Sequence, residues 1–515
     1  MAEVPQENVL DPLATKMGVP TDMLVFFLGE GLCLLCAGLY YMYLPVERVG
    51  TRVRHIVALV IGILIGTLSF GWQFCHMYAQ TTLCYIAMLI LPSSCMHIGV
   101  FVLAMGYLVT LHLYRAYMIP EDVLYSIDVS GPVMIVTQKI TSLAFSVHDG
   151  CYGNKDIMSD LRKRYIVSRQ PSLLEYYSYM FYFQGVVVGP LCFYKDYISF
   201  VEGADISPKK GKNGLENNNV YQSNRKLSPF NVVVYKLCIA LFWLGFHFTF
   251  KPVYPEMLNA DLEFIRSHVF LYRVWYMLIS MLCCRAKYYV AFTLGDAICN
   301  ASGLGFNGYD SEGNPKWDLI TNVSIRGIEG ATSFKTYVDN WNIQTATWLR
   351  HVCYDRIPVQ KRFFTFFLSA LWHGCYAGYY FTFVSAVPLS EVARKVRRKI
   401  RPYFQTSEGR KMAYNILTWF STHIVISYMV VPFTILHLGP TFIFYSFNLY
   451  WNVHILAVAI FVILRYIPTY KNSAEENITQ KELVSTTQNN LHSSFKQQPN
   501  ASSVKQPDVD ILKNE

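Results

Sequence analysis

The chain predicts an all-α polytopic membrane protein, with about ten or eleven transmembrane or re-entrant helices around an internal chamber. Composition is the first reason. Of 515 residues, 53% are hydrophobic and only 15% are charged, against roughly 25% charged in soluble domains, and mean hydropathy is +0.25. Apolar runs recurring from Leu24 to Leu464 are the second reason, and short basic connectors between them are the third. A chain disordered throughout is excluded. The 37 Tyr and 34 Phe suit a protein whose amphipathic rings line interfaces and inner cavities.

Residues 1–22 read as an N-terminal lumenal segment. Glu3, Glu7 and Asp11 against a single Lys16 give the wrong charge for a signal-peptide n-region. The first span is therefore expected to insert as an uncleaved signal. The membrane domain, 23–466, holds spans near 24–44, 56–74, 83–91 with 96–113, 133–147, 176–193 and 232–250. Further spans fall near 269–284, 288–304, 364–387, 413–438 and 441–464. Crossing a ~30 Å hydrocarbon core takes about 20 apolar residues in a helix. Several of these runs are shorter, or are interrupted at Pro92 and Gly189-Pro190. Such breaks survive in a bilayer where they are buried against protein or line a wet cavity, which implies the chamber.

Three stretches are not spans. The polar, basic segment 202–227 reads as a surface loop, and 305–362, rich in Trp, Asn and charge, as ordered helices at the membrane surface. Residues 467–515, rich in Gln, Asn, Ser and Lys, read as a disordered cytosolic tail. Basic clusters at Arg162, Lys163, Arg164, Arg169 and from Arg394 to Lys411 mark cytosolic connectors. They are short loops between apolar spans, which favours contact with lipid over nucleic acid. The 13 Cys are scattered. Cys33 and Cys36 form a C-x-x-C inside an apolar run with no second pair at zinc spacing, so core packing is expected and no metal. Sequons occur at Asn300, Asn322, Asn477 and Asn500.

Chemistry concentrates at two places. His373 is the tenth residue of the uncharged run 364–387, roughly 15 Å into a helix of 1.5 Å rise, near mid-membrane. Titratable groups at that depth face internal cavities and do chemistry or line a path. His247, His423 and His454 also sit in apolar runs, where hydrogen-bonded packing is the simpler role. His373 differs in its neighbours, Trp372, Gly374 and Gly378, which notch the helix so that backbone or substrate can approach. The second place is Asp339-Asn340-Trp341-Asn342, opening an amphipathic segment in which Trp341 and Trp348 share a face with Thr345. An interfacial helix with an aromatic belt would look the same.

Trp341-Asn342, followed 31 residues later by His373 in an LSALWHG stretch, resembles the membrane-bound O-acyltransferase superfamily over nearly the whole span-forming region. Further blocks resemble its lysophospholipid acyltransferases. They are Pro171-Ser172-Leu173-Leu174-Glu175-Tyr176 with Gly189-Pro190, Lys287-Tyr288-Tyr289, and Gly303-Leu304-Gly305-Phe306 with Gly308-Tyr309. The branch using lysophosphatidylserine and lysophosphatidylethanolamine is the most similar.

The resemblance implies acyl transfer from acyl-CoA to a lysophospholipid hydroxyl, in the endoplasmic-reticulum membrane and with no cofactor. His373 would be the base and Asn342 the amide that stabilises the oxyanion or orients substrate. Trp341, Trp348 and Trp372 would contact substrate, and Arg285, Lys287, Arg350 and Arg356 would meet CoA phosphates or a headgroup. Each of these cations also fits a plain topology signal. Cys375 is too close in sequence to share a helical face with His373, so direct transfer without an acyl-enzyme is expected. Two other functions remain open: a family member acylating a protein, sterol or diacylglycerol, and a transporter with an intramembrane histidine relay. Against the transporter stand the uncharged His373 run and the lack of inverted repeats.

Overall fold

Apolar helices long enough to cross a bilayer frame the molecule. The computed structural model describes residues 11–119, 128–204 and 228–468; the polar segment from 205 to 227 and the tail from 469 lie outside them. Among the described residues, six helical stretches can span by length and composition: Thr21–Tyr43, Thr51–Ile90, Met96–Met118, Phe230–Phe250, Phe270–Ser302 and Glu408–Ile435. A bent pair, Leu438–Asn448 with Asn452–Tyr466 at 66°, makes a seventh if taken as one broken span. Gly71, at φ 55°, interrupts the second stretch between Thr51–Phe70 and Phe74–Ile90.

The remaining apolar runs took other shapes. Runs 269–284 and 288–304 are halves of one 33-residue helix, because Arg285 and Lys287 between them do not stop it. Run 176–193 becomes a short helix, Leu173–Phe181, then a 3-10 turn and extended chain. Run 364–387 is two helices, Lys361–His373 and Ala377–Lys399.

The helix Ser130–Cys151 holds the protein's middle and is buried by protein on nearly every side. Its polar residues would be costly against lipid but are matched by partners. Gln80 donates to Thr137 Oγ1 at 2.8 Å and the Trp348 indole donates to Thr141 Oγ1 at 2.8 Å. Gln138 donates to Thr345 Oγ1 at 3.0 Å, and Lys139 donates to the Met180 carbonyl at 3.1 Å. Asp149 takes paired hydrogen bonds from both Arg162 and Arg356. These polar rows bind the 130–151 helix to the segments around Leu173–Phe181 and Ile343–Tyr354, and so set the floor on which the site is built.

The Pro171–Tyr176 block has a structural job. Ser172 Oγ accepts from the Glu175 amide, Glu175 accepts from the Ser172 amide at 2.8 Å, and together they cap the Leu173–Phe181 helix. Hydrogen bonds from Arg169 hold the Glu175 carboxyl down at about 2. Glu175→Ala should destabilise this segment by about 1 kcal/mol through the lost cap; the Arg169 pair adds little, since that arginine faces solvent. A depressed folded pKa means the stabilisation is present above the unfolded value near ~4.3 and lost as pH falls toward 2. Thermal unfolding of the two proteins at pH 7 and pH 3 should show a gap that narrows on acidification.

Candidate active site

The loop that carries His373 is built by a glycine. Helices Lys361–His373 and Ala377–Lys399 fold back on each other, with Phe366 against Phe383 at 6.4 Å and Phe367 against Tyr380 at 6.0 Å between ring centres. Arg362 pairs with Glu391 at the far end. His373 is thus the last residue of a helix and not the middle of a span, which corrects the single crossing expected of 364–387. The turn follows from Gly374, whose φ of 141° is closed to ordinary side chains. A Cβ there would also press on the Tyr379 ring at 3.1 Å. The notch at Gly378 is filled by protein: a Cβ would sit 1.9 Å from the Pro432 carbonyl oxygen, and the Gly378 amide donates to the Leu436 carbonyl at 2.8 Å. Gly374→Ala should therefore displace His373 and lower kcat more than tenfold while the protein still folds, checked by kinetics alongside a melting curve.

Aromatic rings hold the half-buried His373 imidazole. Phe383 stacks on it at 5.2 Å and 18°, Phe433 meets it edge-on at 4.9 Å, and Trp372 lies at 4.6 Å. Its ring makes no hydrogen bond among the described residues, so both nitrogens are open to a ligand. The preceding peptide is anchored: His112 meets the Trp372 carbonyl at 3.2 Å, and the Trp372 indole donates to the Met134 carbonyl at 3.0 Å.

Asn342 is positioned as tightly. It occupies the left-handed region, φ 49° and ψ 51°, just ahead of the helix Ile343–Leu349, a conformation that asparagine tolerates better than most residues. The buried Asn322 fixes it from three directions. The Asn322 Nδ2 donates to Asn342 Oδ1 at 3.0 Å, its carbonyl accepts from the Ile343 amide at 2.8 Å, and its Oδ1 accepts from the Gln344 amide at 2.9 Å. With Oδ1 engaged, the Asn342 amide NH2 is the group left to donate.

His373 and Asn342 line one cavity of about 690 Å³, walled mainly by apolar and aromatic side chains with a few polar groups. This matches what an amphiphile with a long chain needs.

Known proteins resemble the chain over most of its length. The model of the membrane-bound O-acyltransferase family matches residues 115–435, which include both His373 and Asn342. The chain is 40% identical to membrane-bound glycerophospholipid O-acyltransferase 2 of Gallus gallus, over 94% of this chain and 96% of that one. It is 41% identical to membrane-bound glycerophospholipid O-acyltransferase 1 of Mus musculus, over 88% and 92%. A lysophospholipid acyltransferase of Saccharomyces cerevisiae is 26% identical over 90% of this chain and 77% of its own. The chain belongs to the membrane-bound O-acyltransferase family.

Within this O-acyltransferase the other expected site residues divide. Trp341, Trp372, Arg285 and Lys287 line the cavity. Trp341 packs on Tyr288 and Phe292 at 5.6 and 6.3 Å. The helix begins only at Ile343, so Trp341 and Trp348 do not share a helical face as expected. Trp348 is fully buried, bonded to Thr141 and packed on Trp372 at 5.8 Å, and supports the site from behind. Arg285 is bound by Glu329 at 3.0 to 3.2 Å, while Lys287 makes no ion pair among the described residues. Arg350 and Arg356 are not in the cavity lining. Arg350 pairs with Asp355 at 3.2 Å, and Arg356 is committed to Asp149 at 2.6 and 3.0 Å. These pairs help hold the 350–356 segment.

Several cavity residues escaped the sequence. His112, Arg115, Asp128, Tyr379 and Phe433 all line it, and none stands in a pattern that separates it from span or connector. Asn322 drew notice only as a sequon, yet its amide is spent on Asn342 and its side chain is buried. Asn300 is fully buried too, so neither sequon presents an open acceptor.

Proposed function

We propose that this O-acyltransferase is an acyl-CoA:lysophospholipid O-acyltransferase of the endoplasmic-reticulum membrane. It would move an acyl chain from acyl-CoA to the free hydroxyl of lysophosphatidylethanolamine, lysophosphatidylserine or lysophosphatidylcholine in phospholipid remodelling. The observation that carries this reading is that His373, its ring nitrogens free, and Asn342, its amide oriented by Asn322, face one apolar cavity. The relatives, named glycerophospholipid O-acyltransferases and lysophospholipid acyltransferase, support it.

The chemistry follows from the groups present. An alcohol holds its proton tightly, so a neutral imidazole must remove it as the oxygen attacks. The O–H bond breaks toward a ring nitrogen of His373 while the oxygen bonds to the thioester carbon. Negative charge gathers on the former carbonyl oxygen, and the Asn342 amide donates to it. The C–S bond then breaks, and the imidazolium returns its proton to the departing thiolate sulfur. Atoms and charge balance without an acyl-enzyme. Lys287, at the cavity wall and without an ion-pair partner among the described residues, is the candidate for a CoA phosphate.

Purified protein in detergent, given labelled oleoyl-CoA and each lysophospholipid in turn, should yield labelled diacyl phospholipid. Transfer to a sterol, diacylglycerol or peptide in place of lysophospholipid would overturn the assignment.

A further inference from the structure

The cavity also holds a charge pair that the transfer chemistry does not use. Arg115, in the last turn of the Met96–Met118 helix, forms an ion pair with Asp128, just before the Ser130–Cys151 helix. Both line the same cavity as His373 and Asn342. The carboxylate is held in place by Ser130, whose amide donates to Oδ1 at 2.8 Å and whose hydroxyl donates to Oδ2 at 2.5 Å. Neither charge is sealed off, the side chains being 25% and 36% exposed.

Their position relative to the base follows from one helix. His112 touches the turn that carries His373: its ring lies 3.6 Å from the Cβ position of Gly374, and its Nε2 meets the Trp372 carbonyl. Arg115 lies three residues further along the same helix, on the same side, a rise of roughly 4.5 Å. In a lysophospholipid the free glycerol hydroxyl and the phosphate are separated by only a few bonds, a reach comparable with that rise.

Resting on the lysophospholipid reading above, we propose that Arg115 and Asp128 recognise the phosphate and the ammonium of the acceptor's headgroup, with the guanidinium taking the phosphate and the carboxylate taking the ammonium. A guanidinium fork matches a phosphate's oxygens, and a carboxylate accepts from a primary ammonium. Across the cavity wall the two charges neutralise each other. A zwitterion replaces each partner by one of like sign, so neither charge is left bare in an apolar chamber. A headgroup lacking the amine leaves Asp128 against the phosphate, which rejects it. Arg285 offers no equivalent, since Glu329 holds it and Tyr289 occupies the same carboxylate at 2.6 Å.

Steady-state kinetics of the purified full chain test this, using oleoyl-CoA with lysophosphatidylethanolamine, lysophosphatidylserine, lysophosphatidylcholine and lysophosphatidate. Asp128→Asn should raise KM at least tenfold for the ethanolamine and serine acceptors, lower it for lysophosphatidate, whose phosphate it no longer repels, and leave the KM for oleoyl-CoA and kcat near wild type. Arg115→Gln should raise KM for all four, and Arg115→Lys, which keeps the charge, should recover much of the loss. Equal KM shifts across all four acceptors in Asp128→Asn, or an Arg115→Lys no better than Arg115→Gln, would overturn the proposal while the acyltransferase reading stands. A wild-type protein inactive on every lysophospholipid would remove both.

Discussion

His373→Ala lowers kcat for acyl transfer by about 10³-fold or more, with little change in the KM for acyl-CoA. General-base catalysis contributes roughly 10²–10⁴. His112 also lines the cavity, but its Nε2–H donates to the Trp372 carbonyl, which fixes the ring with Nδ1 3.6 Å from the Cβ position of Gly374. A thousandfold loss corresponds to about 4 kcal/mol of transition-state stabilisation. His373 makes no protein hydrogen bond among the described residues, so its removal costs the fold only aromatic contacts, with Trp372, Tyr379, Phe383 and Phe433. Quenched-flow or steady-state assays should therefore show a loss of rate in a protein that still elutes as the wild type does. A His373→Ala protein retaining most of its rate would remove the base from the mechanism.

Loss of the Asn342 amide comes next in size. Removing one oxyanion donor costs about 10²–10³ in kcat, and that is the effect expected of Asn342→Gly. Glycine is the informative replacement because it accepts φ 49° without strain; alanine would add backbone strain to the lost donor. Asn322→Ala should act through Asn342. It removes the donor to Asn342 Oδ1 and the acceptor for the Gln344 amide, leaves the Asn342 amide free to rotate, and lowers kcat about tenfold. The double variant should be no slower than Asn342→Gly alone, since groups acting as a unit are non-additive. An Asn322→Ala effect that simply multiplies the Asn342→Gly effect would show that the two asparagines act separately.

His373 and Asn342 were singled out by the resemblance of their sequence blocks to a family. Composition alone did not separate them, since His247, His423 and His454 also sit in apolar runs and an interfacial helix would look like the segment around Asn342. The helical class and the chamber were legible from the same composition that makes a bilayer the solvent. What stayed hidden depended on distant partners. A run of 24 apolar residues reads as one crossing, and only the φ of 141° at Gly374 reveals two helices folded back on each other. Arg356 and Arg350 carry the same charge as Lys287, but the fold sets Asp149 and Asp355 beside them and leaves both outside the lining of the cavity. Arg115 and Asp128 are ordinary connector charges until their helices bring them to the wall of the cavity.

The central claim is that one cavity brings a lipid hydroxyl to His373 and a thioester to Asn342 for direct transfer. A structure of the protein with a non-transferable thioether analogue of oleoyl-CoA and lysophosphatidylethanolamine tests it most directly. The account predicts the acceptor hydroxyl within hydrogen-bonding distance of a His373 ring nitrogen and the analogue's reacting carbon beside the Asn342 amide. A hydroxyl bound elsewhere in the cavity, or an acyl chain covalently attached to a protein side chain when oleoyl-CoA itself is supplied without acceptor, would contradict it.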